Sequence, residues 1–131
     1  MRRENQVQRH SYSFAILIIG LYRRLKNQKE YILARQILRS GTSIGANVEE
    51  AIGASSRKDF INKITIAYKE ARESSYWLRL FRDTGLLTDQ ESQDLIYRIN
   101  VLLKLLGTIQ KTAKRNQQAT NNPTKPLVGK E

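Results

Sequence analysis

The sequence predicts an all-α fold, an antiparallel up-down-up-down four-helix bundle. Three observations carry this. The first proline is Pro123, so nothing upstream forbids long uninterrupted helices. Apolar residues recur at steps of three and four in four separate segments, the period of one helical face. The segments are joined by a few polar residues each, which makes consecutive helices antiparallel neighbours. No strand pattern competes, and no repeat of solenoid length is visible.

The first helix is expected from about Ser13 to Lys26, where Phe14, Leu17, Ile18, Leu21, Tyr22 and Leu25 share a face. The second is expected to start at "NQKE", with Asn27 as cap and Glu30 three residues on. Its apolar face is Tyr31, Ala34, Ile37, Leu38, Gly41, Ile44, Gly45, Val48, Ala51 and Ile52. That face passes through "SGTSIGANVEEA" (residues 40–51) without a phase break, so the stretch reads as helix despite its two glycines.

The third helix opens at "SRKD", with Ser56 as cap and Asp59 closing the pattern. Phe60, Ile64, Ala67, Tyr68, Ala71, Ser75 and Leu78 follow the period, continued by Phe81 or Arg82. Gly85 is suited to end it in the left-handed conformation. From Arg57 to Thr84 the helix would be about 42 Å long. The fourth opens at "TDQE", a capping box of Thr88 and Glu91. It runs through Leu95, Ile96, Ile99, Leu102, Leu103, Leu106 and Ile109 to about Arg115. The expected organisation is a basic arm over 1–12, the bundle over 13–115 and a flexible polar tail over 116–131.

A chain of 131 residues is one domain with one core. It lacks cysteine, which excludes disulfides, thiolate metal sites and a cysteine nucleophile, and fits a cytoplasmic setting. The apolar run "FAILIIGLY" is followed at once by Arg23 and Arg24 and is too short to span a bilayer, so neither signal peptide nor membrane span is expected. The net charge is +11. Arg2, Arg3 and Arg9 against Glu4 account for +2 of it, and Lys125 and Lys130 against Glu131 for +1, leaving +8 on the predicted bundle. With a pI near 10.2, this points to a polyanionic partner, nucleic acid first and an anionic membrane surface second.

The search for chemistry is negative. His10 is the one histidine, and no metal-ligand cluster or cofactor motif appears. "GTSIG" is not a phosphate loop, because its glycines are too close, no lysine follows and no strand precedes. Glu49 and Glu50, with Glu70 and Glu73, could meet across the bundle and do acid–base work. The competing reading pairs them with Arg39, Lys69, Arg72 or Arg79, and no catalytic residue is assigned. Gln36, Ser40, Ser43, Asn47 and Glu50 form a polar stripe beside the apolar face, either solvent-facing or at a subunit seam, with Asn47 a candidate buried anchor. Gly41 and Gly45 cost about 1 kcal/mol each against alanine in a helix. Close approach of a bulky group would offset that, with Tyr76 and Trp77 as candidate fillers.

"LRSGTSIGANVEEA" followed by "SSRKDFINKITIAYKEARESSYWLRL" resembles the small bacterial four-helix bundle proteins named after the intervening sequences of 23S ribosomal RNA genes. Arg39, Ser40, Ser43, Ile44, Asn47 and Glu50 carry the first part of the resemblance. Lys58 (or Arg57), Asp59, Phe60, Ala67, Glu70 and Glu73 carry the second. It covers roughly residues 14 to 110. The resemblance implies assembly into a homopentameric barrel and no enzymatic activity. It also implies kinship with the accessory variability determinants of diversity-generating retroelements, basic pentamers that bind nucleic acid and associate with a reverse transcriptase. On that reading Ser40, Ser43, Asn47, Glu50, Glu70 and Glu73 belong to the polar interior or an oligomer seam.

The candidate nucleic-acid-binding residues are the densest cationic clusters. Arg23, Arg24, Lys26 and Lys29 follow the first helix, Arg35 and Arg39 lie on the second, and Lys111, Lys114 and Arg115 end the fourth. The first and last clusters should sit at opposite ends of the bundle, and the first is preferred. Lysines and arginines at helix C-termini also serve the helix dipole, a reading of nearly equal standing. No cofactor or metal is expected. The alternative function is a protein-interaction scaffold that does not touch nucleic acid.

Overall fold

The structure is a computed structural model and describes residues 2–121. It holds α1 (Arg3–Asn27), α2 (Tyr31–Ile52), α3 (Arg57–Asp83) and α4 (Asp89–Asn121), with no strand among the described residues. Each helix packs against two others, α1 on α2 and α4, and α3 on α2 and α4, so the four surround one core. Gly45 backs onto Ser11 and Gly41 onto Ile18. Lys63 meets Glu50, and Arg39 meets Glu70. Gly107 lies against Tyr68, and Arg24 reaches Glu91. The result is a four-helix bundle.

The core follows the predicted faces closely. Phe14, Ile18, Leu21 and Leu25 on α1, Ala34, Ile37, Ile44 and Val48 on α2, Ile64, Ala67, Leu78 and Phe81 on α3, and Ile99, Leu102 and Leu106 on α4 are all buried. Some expected members are more peripheral. Leu17, Tyr31 and Ile52 are exposed, and Leu38 is half-buried, as are Tyr22, Phe60, Tyr68, Ile96 and Leu103 at the core edge. Phe81 rather than Arg82 completes the α3 face.

Three boundaries differ from expectation. Helix α1 begins at Arg3, not near Ser13, so Arg3–Tyr12 is helix rather than an arm. Val7 and Ser11 are buried and continue the α1 stripe, but one apolar residue among "RENQVQRHSYS" was too weak a periodic signal. Helix α4 runs past Arg115 to Asn121, with Ala113 buried as an extra core turn. The rest of the predicted tail lies outside the described residues.

The third difference is at the α1–α2 turn, where Asn27 does not cap α2 but ends α1. Lys29 is left-handed at φ 66°, its N–H bonds the Lys26 carbonyl, and the Glu30 N–H bonds the Leu25 carbonyl. This is a Schellman ending with a lysine where glycine is usual.

The other turn chemistry is as expected. The Ser56 hydroxyl accepts from the Asp59 N–H at 3.0 Å. The Thr88 and Glu91 box closes in both directions, at 3.1 and 3.2 Å. Gly85, at φ 78°, ends α3.

Candidate functional site

The stretch 40–51 is continuous helix inside α2. Its glycines face α1, not the aromatic pair. A Cβ on Gly41 would lie 2.9 Å from both Ile18 Cγ1 and Cγ2, and one on Gly45 would lie 3.4 Å from the Ser11 carbonyl oxygen. Tyr76 and Trp77 are therefore not the fillers. They pack edge-to-face with ring centroids 5.1 Å apart, and the Trp77 indole N–H donates to Glu73 at 3.0 Å.

The polar stripe divides among three roles. Ser40 is fully buried and accepts from the Ser74 hydroxyl of α3 at 2.9 Å. Asn47 folds back on α2, donating to the Ser43 carbonyl at 2.9 Å and to its hydroxyl at 3.2 Å, so it ties no second helix. Glu50 is exposed and pairs with Lys63 at 2.9 Å.

The carboxylates that were candidates for chemistry are engaged in pairs. Arg39 bridges α2 to α3, donating to Glu70 at 3.1 Å and to Glu73. The Trp77 indole N–H, and then Arg39, hold the Glu73 carboxyl below the usual carboxylate range, against the opposing effect of burial. The Glu73 bond is the largest cause raising Arg39 above its ordinary value. Glu49 accepts from Gln8 at 3.0 Å. No group of three or more potential metal ligands gathers among the described residues. No described helix is long and apolar enough to cross a membrane.

The basic candidates separate into different environments. Arg24 pairs with Glu91, and Lys26 lies 5.9 Å from the centre of the Tyr22 ring. Arg23, Lys29 and Arg35 are exposed. At that end Arg82 pairs with Asp83 at 2.8 Å and Arg98 with Asp94 at 3.1 Å, so carboxylates are interleaved with the cations. Lys111, Lys114 and Arg115 are exposed on late α4.

Beside this last group is a feature the sequence reading missed. Arg2, Arg3 and Arg57 line one cavity of about 600 Å³, together with Thr112 and Asn116 and with Phe60, Ile109 and Ala113. Arg57 lies more than fifty residues from Arg2 and Arg3 in the chain. Adding helix starts to helix ends, once the bundle topology was in hand, would have brought them together.

No curated protein matches the chain. Among solved structures it is similar to a protein of unknown function from the S23 ribosomal protein family of Bacteroides thetaiotaomicron. The identity is 44%, over 84% of this chain and 99% of that one, with a TM-score of 0.80. Residues 3–108 match the family described as 23S rRNA-intervening sequence protein, and that span takes in all of α1, α2 and α3 and most of α4. On this match, the chain belongs to the 23S rRNA-intervening sequence protein family.

Proposed function

We propose that this antiparallel bundle is a non-enzymatic, self-assembling protein that binds nucleic acid through its basic surface. The observation that carries the reading is how the charges are spent. Glu50, Glu70, Glu73, Asp83, Glu91 and Asp94 are matched to cations of the bundle itself. The chain has 23 lysines and arginines against 12 acids, so a large cationic excess faces outward. Such a surface attracts a polyphosphate backbone by counterion release, with affinity that falls steeply as salt rises.

Titration of labelled structured RNA and duplex DNA, by fluorescence anisotropy at low and physiological salt, tests this. Binding should weaken by at least about tenfold across that range. No binding at low salt sinks the reading.

Self-assembly, as the homopentamer the resemblance implies, is supported by an outward stripe on α1. Tyr12, Ile16 and Ile19 lie on it at helical spacing, with Ile16 56% exposed. Light scattering that finds only the 15.2 kDa chain would remove the assembly from the proposal. The resemblance also implies a reverse transcriptase as a protein partner. A pull-down that survives nuclease treatment is the result expected of such a partner, or of a scaffold without nucleic-acid binding.

A further inference from the structure

We propose that the cavity between the first turns of α1 and α3 and the late turns of α4 is a nucleotide site, taking a phosphate between Arg3 and Arg57 and the attached base against Phe60. The inference rests on the nucleic-acid reading above and gives it a location.

The cavity is of ligand-site size, about 600 Å³, and combines a cationic rim with an apolar floor of Phe60, Ile109 and Ala113. Thr112 and Asn116 add hydroxyl and amide groups on the α4 side. Neither Arg3 nor Arg57 has a side-chain partner among the described residues, and both are exposed. Asp59, a close neighbour of Arg57 in the chain, lines a separate cavity with Ser56, Lys58 and Gln117.

The like charges of Arg3 and Arg57 on one cavity repel each other, and an anion between them relieves that repulsion. Two helices start at this place; α3 is capped by Ser56 and carries Asp59 in its first turn, whereas α1 has no side-chain cap on its N-terminus. The uncapped N–H groups of α1 therefore add to the guanidinium charges. A guanidinium fork matches phosphate oxygens in bidentate fashion, and its plane and the Phe60 ring offer stacking surfaces to a base. Lys111, Lys114 and Arg115 continue the positive track along α4, where the phosphates of adjoining nucleotides would run. At the opposite end carboxylates stand among the cations, Glu91 on Arg24, Asp83 on Arg82 and Asp94 on Arg98.

The test uses the full chain, a short fluorescein-labelled RNA, and adenosine monophosphate or inorganic phosphate as competitor. Arg3→Gln with Arg57→Gln should weaken RNA binding by about tenfold or more. It should also lower the salt slope by about one unit per arginine removed. Arg23→Gln with Lys26→Gln should do much less. Arg57→Lys, which keeps the charge but loses the fork, should fall between. Circular dichroism checks that each variant is folded, and the lysine variant carries the test if the double one is not.

RNA binding by the folded double variant equal to wild type overturns the site while leaving the general reading intact. Competition by inorganic phosphate as strong as by the nucleotide overturns the role of Phe60. If wild type binds no RNA, but adenosine monophosphate raises its melting temperature in an Arg57-dependent way, the site stands and the nucleic-acid reading falls. Binding of neither overturns both.

Discussion

Gly20 and Gly41 are both interior helical glycines, yet they answer to different physics. A Cβ at Gly20 would meet nothing within 4 Å, whereas one at Gly41 would press on the Cγ1 and Cγ2 of Ile18, a fully buried and rotamer-restricted side chain. Gly20→Ala should therefore raise stability by about 1 kcal/mol, the propensity difference alone. Gly41→Ala gains the same propensity but overpacks the α1–α2 contact, and should lower stability by about 1–2 kcal/mol net. Urea midpoints at fixed protein concentration check both, and a stabilised Gly41→Ala would mean that Ile18 is free to move aside. Lys29 is the converse case, a side chain where the backbone wants none. Lys29→Gly should raise the urea midpoint by the equivalent of about 1 kcal/mol by removing the left-handed penalty. At this scale the sequence was legible in part. The small residues of 40–51 signalled close packing, but not which helix packed, because spacing fixes a face and not its neighbour. Lys29 was illegible, since nothing in its type marks a positive φ.

Between elements, α2 and α3 are joined by one buried neutral link, Ser40 with Ser74, and by two exposed charged ones, Arg39 with Glu70 and Glu73 and Lys63 with Glu50. Ser40→Ala or Ser74→Ala alone leaves a buried hydroxyl without its cross-helix partner and should cost about 1–2 kcal/mol. The double variant removes both hydroxyls and should cost clearly less than the sum. Additive losses in a double-mutant cycle would mean that the two hydroxyls do not interact. The Arg39–Glu70–Glu73 bridge is half-exposed, so solvent screening holds its worth to under about 1 kcal/mol. Its pH dependence has a definite sign. The folded Glu73 carboxyl is held below its ordinary value, so its contribution is present above the unfolded glutamate value of about 4.3 and is lost as pH falls through the lowered folded value. The stability gap between wild type and Glu73→Gln should therefore be open at neutral pH and close on acidification. Chemical denaturation at the two pH values decides it, and a gap that widens in acid contradicts the assignment. The capping signals at Ser56 and Thr88 located two helix starts because those side chains act locally. The start of α1 escaped because Val7 and Ser11 earn their burial from contacts with the rest of the bundle, which no local pattern announces.

For the whole molecule, the sequence carried the number of helices, their order and the positive balance, since periodicity and charge are summed properties. It did not carry the distribution of that charge. Whether a lysine or arginine is spent depends on which carboxylate the topology brings to it, as Glu91 is brought to Arg24 and Glu73 to Arg39. Nor did it separate the two apolar faces of α1, because Ile16 and Ile18 differ in exposure while being identical in kind. The outward face bears on the proposed assembly. Five chains at +11 each would repel strongly, so a stable oligomer needs apolar contact in which few charges are buried. Tyr12, Ile16 and Ile19 form such a strip, flanked by Arg9 and Arg23 rather than crossed by them. Ile16→Glu places a charge at its centre without touching the core of the chain. It should leave the helical circular dichroism spectrum unchanged and shift the light-scattering mass of the wild-type assembly toward the single chain, most clearly at low protein concentration. If the variant keeps the wild-type mass, the seam lies on another face of the bundle.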